Sequence, residues 1–178
     1  MVSPATAKIR AVLFDRDGTL VVDVPYNGNP ALVRPVPGAR EVLDALRARG
    51  IATGVVSNQS GIARGLISED DVASVNARVE ELLGPFDVWE VCPHSDQDNC
   101  SCRKPAPGMV HSACRKLGID ESEAVLIGDI GADVLAAEAA GATGVLVPTP
   151  VTRAEEVAAA RLVARDLAGA VGLLREAP

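Results

Sequence analysis

The chain contains 178 residues, of which 48% are hydrophobic and 23% are charged, and its formal net charge is -7. This length predicts a single domain spanning residues 1–178. Neither an apolar run of the roughly 18 to 20 residues of a membrane helix nor the apolar segment of a signal peptide is found, so we expect a cytoplasmic protein without membrane contact. The acidic balance and the aromatic content of 2% disfavour nucleic-acid binding, which needs a basic surface or a stacking platform.

Along the chain, short apolar runs alternate with helical patterns. The runs predict buried strands at Ile9–Phe14, Ile51–Val56, Val88–Val91, Ala124–Ile127 and Thr143–Val147. The spacing of apolar residues predicts helices at Ala39–Arg49, Glu69–Leu83, Gly108–Leu117 and Ala132–Ala140. Ser68 and Asp71 predict a capping box at the start of the second helix. A weak strand near Leu162–Ala164 and a short helix capped by Asp166 are expected to complete the domain.

This alternation predicts an α/β fold with a doubly wound, mostly parallel, Rossmann-like sheet and helices on both faces. In such sheets ligands bind outside the carboxyl ends of the strands, where the strand order reverses. Two long loops, residues 21–38 and 92–108, start at such ends, and loops of this length are often functional. The residues that directly follow each strand are therefore the candidates for a functional site.

Four polar segments follow the predicted strands. In chain order they are Asp15 with Asp17, then Ser57, Asn58, Gln59 and Ser60, then Arg103 with Lys104, and finally Asp129 with Asp133. Each segment taken alone is also compatible with a turn, a solvated surface pair or a helix cap. Their occurrence in this order at one edge of one sheet favours a shared site.

In the order DxDGT, Ser, Lys and GDxxxD, these segments resemble the four motifs of the haloacid dehalogenase superfamily of phosphohydrolases. The resemblance extends from Val12 to about Pro148. It implies that Asp15 is the nucleophile that forms an aspartyl-phosphate. It also implies that Asp17 protonates the leaving alcohol and then deprotonates the hydrolytic water, while Ser57 and Lys104 hold the phosphoryl group.

The chemistry of these residue types agrees with that expectation. An aspartate is ionised at neutral pH and can attack phosphorus without a separate base, but it is repelled by a dianionic phosphate. Positive charge around the transferring oxygens removes this obstacle, and Mg²⁺ is the cation best suited to carboxylates plus phosphate. By resemblance, Mg²⁺ is held by Asp15, the backbone carbonyl of Asp17 and Asp129, and Asp133 orients that shell.

A second cluster lies in the loop after the third strand. Three thiolates and one imidazole complete a tetrahedral shell, which is typical of structural zinc: Cys92, His94, Cys100 and Cys102. We expect the zinc to stabilise this loop and to orient Arg103 and Lys104. Cys114, on the following helix, is expected to be a buried small residue, and His111 a structural one.

The zinc loop narrows the resemblance to two groups of enzymes within the superfamily. Together with the DRDGT and SNQSGIARG segments, it looks like the loop of the D-glycero-D-manno-heptose 1,7-bisphosphate phosphatases and of the related histidinol-phosphate phosphatases, both capless members of the superfamily. For the heptose enzymes the resemblance implies substrate contacts by Asp23, Tyr26, Ser57, Asn58, Gln59, Ser60, Arg103 and Lys104. Arg64 is a further candidate for the distal phosphate, because a guanidinium can bind it in bidentate fashion.

The chain departs from the heptose pattern at Val21, at Ile130 and over Val33–Val36, which bears on the substrate more than on the reaction. The leading hypothesis is a Mg²⁺-dependent phosphatase, acting as a monomer on a small phosphorylated metabolite, specifically a heptose bisphosphate. A histidinol-phosphate phosphatase is the second hypothesis. A zinc-stabilised binding module without turnover is the third.

Overall fold

The computed structural model describes residues 8–176. Its centre is a sheet formed by β1 (Ala11–Phe14), β2 (Ala52–Asn58), β3 (Val88–Cys92), β4 (Ala124–Gly128) and β5 (Thr143–Leu146). All pairs are parallel, and the strand order is β3-β2-β1-β4-β5. The predicted doubly wound sheet is confirmed, with each strand end within two residues of its prediction. The order reverses at β1, so the carboxyl ends of β1 and β4 flank the predicted crevice.

Between residues 8 and 176 the α-helices are α1 (Ala39–Ala48), α2 (Glu69–Leu83), α3 (Gly108–Leu117), α4 (Gly131–Ala140), α5 (Ala154–Ala159) and α6 (Leu167–Glu176). The first four match their predicted spans closely. The predicted capping box of α2 is present, since Ser68 Oγ accepts from Asp71 N at 3.0 Å and Ser68 N donates to Asp71 Oδ2 at 2.8 Å. None of these helices is long and apolar enough to cross a membrane.

The end of the chain differs from its prediction in two respects. The weak strand predicted near Leu162–Ala164 is reduced to a single parallel bridge between Val163 and Leu146, in which Leu146 N donates to Leu162 O and Ala164 N donates to Leu146 O, both at 2.9 Å. Helix α5 was not predicted, because six residues are too short to show an apolar period. The predicted cap of α6 is present, with Gly169 N donating to Asp166 Oδ1 at 2.8 Å, although this helix has ten residues and is not short.

Side-chain alternation along the buried strands divides the core into two layers. Val12 and Phe14 of β1 face α1, α2 and α6, whereas Leu13 between them faces α3 and α4. A strand buried on both faces must be apolar at every position, and β1 has the sequence AVLF. The core therefore fixes β1 rigidly, and with it the residues that follow Phe14.

Replacement of Ser68 by alanine tests the local stability of α2. We expect Ser68→Ala to lower the free energy of unfolding by about 1 kcal/mol, because the first turn loses its side-chain acceptor. Urea unfolding at fixed metal concentration measures this change. The control is Ser74→Ala on the same helix, whose hydroxyl only donates to Asp70 O, and we expect its effect to stay within about 0.5 kcal/mol. Equal effects of the two substitutions would contradict the capping role.

Candidate active site

The chain turns sharply after β1 and carries Asp15 to the carboxyl edge of the sheet. Asp15 N donates to Ile127 O at 2.9 Å, which extends the pairing with β4 by one residue. Gly18 follows with φ of +82°, a conformation that favours glycine, and its N–H donates to Val21 O. A Cβ at this position would overlap the carboxylate of Asp129. The DxDGT turn and the end of β4 are therefore in direct contact.

Lys104 inserts a buried ammonium group beside Asp15. Its Nζ lies 3.0 Å from Asp15 Oδ1 and 2.7 Å from Val56 O. It also lies 2.6 Å from Asp133 Oδ1. Burial disfavours the charged amine, but Asp133 and Asp15 outweigh that effect and raise the pKa of Lys104 above its usual value. The lysine is therefore a permanent cation that joins the ends of β1, β2 and β4.

The amide of Asn58 fixes the backbone of this lysine. Asn58 Oδ1 accepts from Lys104 N at 3.0 Å, and Asn58 Nδ2 donates to Lys104 O at 3.1 Å. Both backbone groups of Lys104 are thus bound by one side chain at the end of β2. The loop that carries the lysine has little secondary structure, so this clamp sets its position.

Three carboxylates converge around the ammonium group. Asp15, Asp129 and Asp133 each offer an oxygen, and these three oxygens lie within 4.8 Å of one another. Burial, followed by the charge of Asp133, raises the pKa of Asp129 to about 6. Burial likewise raises the pKa of Asp15 well above its usual value, an effect that Lys104 opposes. A hard divalent cation with oxygen ligands fits this cluster, because it would offset the remaining negative charge.

Two hydroxyl groups support Asp129. Thr19 Oγ1 donates to Asp129 Oδ1 at 3.1 Å, and Thr152 Oγ1 donates to the backbone carbonyl of Asp129 at 2.7 Å. Thr152 lies in the segment between β5 and α5. Sequence reasoning missed Thr152, because an isolated threonine in a connection carries no distinguishing pattern.

Asp17 faces a different set of partners. Arg16 donates to both of its carboxylate oxygens, from Nε to Oδ1 at 3.0 Å and from the second guanidinium nitrogen to Oδ2 at 2.9 Å. Gln59 Nε2 donates to Asp17 Oδ2 at 2.8 Å and to Ser57 Oγ at 2.8 Å. The structure thus connects the predicted acid–base residue to the predicted phosphate loop. It also reveals Arg16, which the sequence reading left without a role.

The predicted substrate-binding residues surround this centre at different depths. Ser57 and Gln59 are buried, whereas Ser60 is partly buried and Arg64 is exposed. One guanidinium nitrogen of Arg64 lies 3.7 Å from Asp96 Oδ1 in the zinc loop. Arg103 donates to the backbone carbonyl of His94 at 3.4 Å. Arg64 is therefore at the surface beside the loop that holds the four metal-binding residues, and Arg103 is a partly buried residue of that loop.

The loop after β1 brings the predicted residues Asp23 and Tyr26 to the same edge. Burial and the charge of Asp17 raise the pKa of Asp23, while Arg16 opposes the rise. Tyr26 has φ of +50°, and its ring contacts Gly61, since a Cβ there would lie 2.8 Å from Tyr26 Cδ1. This loop thus meets the chain directly after the Ser57–Ser60 segment.

The cysteine-rich loop gathers a second metal-binding cluster. The Sγ atom of Cys102 lies 3.2 Å from that of Cys92 and 3.4 Å from that of Cys100, while His94 Nδ1 lies 3.3 Å from Cys102 Sγ. A tetrahedral zinc with Zn–S bonds of about 2.3 Å separates its sulfur ligands by about 3.8 Å, so the cluster is close to the required size. Arg103 N donates to Cys100 Sγ at 3.3 Å, which ties the cluster to the segment that contains Lys104.

The remaining cysteine and the remaining histidine of the chain lie elsewhere. Cys114 is buried in the layer between α3 and the sheet, in agreement with its predicted role as a small core residue. His111 Nδ1 lies 2.6 Å from Glu121 Oε1, in a side-chain contact near the surface. Neither of them belongs to the metal-binding clusters of residues 8–176.

Comparisons with known proteins agree with this architecture. A family model described as HAD-hydrolase-like matches residues 101–170. The fold is similar to that of D,D-heptose 1,7-bisphosphate phosphatase from B. bronchiseptica, a structure in complex with magnesium and phosphate. The TM-score is 0.83 and the identity 29%, over 95% of this chain and 100% of the other. The protein is thus a phosphatase of the haloacid dehalogenase-like class.

Two relatives define the class more narrowly. The D-glycero-beta-D-manno-heptose-1,7-bisphosphate 7-phosphatase of Vibrio cholerae is 38% identical over 84% of this chain and 88% of its own length. The protein of the same name from Yersinia pestis is 37% identical over 92% of this chain and 94% of its own length. The chain belongs to this family of heptose bisphosphate phosphatases.

Replacement of Cys102 tests the metal-binding loop. Because the four ligands close one tetrahedral shell, we expect one equivalent of zinc per chain and its loss in Cys102→Ser. Elemental analysis of protein purified without chelator measures the content. Cys114→Ala is the matched control and should retain the metal, because Cys114 lies outside the cluster. Zinc retained at full stoichiometry in Cys102→Ser would refute the assignment.

Replacement of Gly18 tests the contact between the DxDGT turn and Asp129. We expect Gly18→Ala to raise the Mg²⁺ concentration for half-maximal phosphate release by more than about tenfold, because the new methyl group displaces the carboxylate. The control is Gly118→Ala, which shares a positive φ of +65° but has open space around the new Cβ. That variant should lose stability without a change in Mg²⁺ dependence. A similar Mg²⁺ dependence of both variants would contradict the steric argument.

Proposed function

We propose that this protein removes the 7-phosphate of D-glycero-β-D-manno-heptose 1,7-bisphosphate in a Mg²⁺-dependent reaction that passes through an aspartyl-phosphate. One observation carries the mechanism: a buried lysine cation lies 3.0 Å from Asp15 and within ion-pair distance of Asp133, next to Asp129. Such an arrangement supplies a nucleophile, a permanent positive charge and a cation-binding carboxylate cluster at one point. The substrate is proposed from the names of the relatives.

In the first step, one carboxylate oxygen of Asp15 attacks phosphorus. A bond forms between that oxygen and phosphorus while the bond from phosphorus to the C7 oxygen breaks, and the carboxyl proton of Asp17 passes to the departing oxygen. In the second step, the oxygen of a water molecule attacks phosphorus and the water gives a proton to Asp17, while the bond between phosphorus and the Asp15 oxygen breaks, which releases inorganic phosphate and the Asp15 carboxylate. The two steps restore both aspartates to their starting states.

The groups around phosphorus offset the charge that this transfer concentrates. Lys104 and Ser57 are proposed to contact the phosphoryl oxygens, the lysine by charge and the hydroxyl by a hydrogen bond. When bound, Mg²⁺ would supply further neutralisation of the negative charge on the phosphoryl group. Asp15, the backbone carbonyl of Asp17 and Asp129 are proposed to hold it. Asp133, which pairs with Lys104, is proposed to orient that shell.

The rest of the substrate would lie against the surrounding loops. Arg64 and Arg103 are the proposed ligands of the distal phosphate, because both carry guanidinium groups that are at least partly exposed, Arg64 beside the zinc loop and Arg103 within it. Asp23 and Tyr26, on the loop after β1, are proposed to contact the sugar. The end of β2 and the residues after it supply the other proposed contacts, which are Asn58, Gln59 and Ser60.

The zinc-binding loop is proposed to have a structural role. It connects to the active site through Arg103 N, which donates to Cys100 Sγ, and through the neighbouring Lys104. Thiolate ligands of this kind suit a reducing compartment, which supports a cytoplasmic location. Because every proposed site residue belongs to one chain, we also propose that the protein works as a monomer and forms one domain.

Substrate comparison tests the proposed function. With Mg²⁺ present, we expect phosphate release from the β anomer of heptose 1,7-bisphosphate to exceed that from the α anomer, histidinol phosphate and an aryl phosphate in kcat/KM. A preference for histidinol phosphate would transfer the same chemistry to another substrate and overturn the sugar assignment. No release from any of the four compounds would support a binding module instead.

Replacement of Asp15 tests the chemistry separately. Asp15→Asn should lower kcat by more than about a thousandfold, because an amide oxygen cannot form the aspartyl-phosphate. Asp44→Asn, an exposed aspartate on α1 that pairs with Arg40 and Arg47, is the control and should retain full activity. Unchanged phosphate release in Asp15→Asn would refute the nucleophile.

A further inference from the structure

Arg16 is a buried cation that neither the sequence motifs nor the proposed chemistry uses. Only 1% of its surface is exposed, and it is the largest of the fully buried side chains in residues 8–176. It stands between the two aspartates of the DxDGT turn. A buried charge is costly unless it is paired and hydrogen-bonded, so its partners indicate what it does.

The guanidinium group has partners on two elements. Nε and one terminal nitrogen hold the two oxygens of Asp17 at 3.0 and 2.9 Å. The other terminal nitrogen donates to Asn76 Oδ1 on α2 at 2.7 Å. The side chain therefore links the predicted acid–base carboxyl to a core helix, 60 residues away in the sequence. Asn76 fixes the plane of the guanidinium group, and this plane fixes the carboxylate.

The bonds to Asp17 are not evenly distributed between its two oxygens. Oδ2 accepts from Arg16 and also from Gln59 Nε2 at 2.8 Å, whereas Oδ1 accepts from Arg16 Nε. A carboxylate offers about four lone-pair sites, two on each oxygen. Both sites on Oδ2 are thus filled, and the remaining one belongs to Oδ1. With 26% of the Asp17 side chain exposed, this carboxyl is accessible from the site.

We propose that Arg16 is a positioning residue for Asp17: it holds the carboxyl group so that Oδ1 carries the proton that passes to the leaving oxygen. This inference rests on the proposed function of Asp17 as the acid and goes further by naming the device that orients it. A guanidinium fork matches the two carboxylate oxygens at once, which a lysine ammonium cannot do. The two hydrogen bonds from Arg16 prevent the Asp17 carboxyl group from rotating about its Cβ–Cγ bond.

The experiment compares two leaving groups. A sugar phosphate releases an alkoxide that needs the proton of Asp17, whereas p-nitrophenyl phosphate releases a stabilised anion that needs little help. The measured quantity is kcat/KM with Mg²⁺ present, because it covers formation of the aspartyl-phosphate and departure of the leaving group. We expect Arg16→Lys to lower kcat/KM for heptose 1,7-bisphosphate about 10- to 100-fold more than for p-nitrophenyl phosphate.

Asn76→Ala provides a second test of the positioning role, because it removes the hydrogen bond between Asn76 and the guanidinium group of Arg16 but keeps the charge of that group. We expect a smaller loss with the same selectivity for the sugar phosphate. Arg78→Ala is the control on the same helix, since its side chain is 42% exposed and pairs only with Glu81 among residues 8–176, and both rates should stay at the wild-type level. Circular dichroism confirms that each variant is folded.

Asp17→Asn separates the two proposals. If it loses activity selectively on the sugar phosphate while the Arg16 and Asn76 variants lose both activities equally, Arg16 is merely structural and the inference is overturned. If Asp17→Asn itself shows no selectivity, the proposed acid is wrong, and the inference built on it fails for that reason. Selective losses in all three variants support the positioning role.

Discussion

The buried ammonium group of Lys104 is the interaction on which the active site depends. Taking such a cation out of water is expensive and is tolerated only where several acceptors surround it. Here the acceptors are Asp15 after β1, the backbone carbonyl of Val56 in β2 and Asp133 at the start of α4. The lysine therefore requires three segments of the chain to be in their final positions. In return, it supplies a charge that does not depend on pH near neutrality.

The sheet and the edge that carries the site could be predicted because both depend on local patterns. Buried parallel strands are apolar at every position, and the next polar residues must leave the core at the carboxyl end, as Asp15 and Asp129 do. Helices α1 to α4 were found from their apolar period and their caps. The segment 162–164 forms only one bridge to β5 where a weak strand was predicted, because the sequence does not show how far a short apolar run pairs with its neighbour.

Other parts of the site could not be read from the sequence because they depend on distant partners. An arginine in a turn is ordinarily a solvated residue, and only the packing of α2 against that turn shows that Arg16 is buried. Thr152, which follows β5 in the chain, donates a hydrogen bond to the backbone carbonyl of Asp129. The clamp of Asn58 on Lys104 joins residues 46 positions apart. Motifs identify the groups that react, whereas the groups that orient them are identified by the fold.

The residues of the site are far apart along the chain, and this separation has a consequence for folding. Asp15 and Lys104 are 89 residues apart, and β1 pairs with β2 on one side and with β4 on the other. Contacts of such long range form late, because the entropy of closing the loops must be overcome before they contribute stability. In a partly folded chain the carboxylates of the site and Lys104 have thus not yet come together. Phosphatase activity should return on refolding only when the sheet is complete, which makes turnover a sensitive reporter of the last stage of folding.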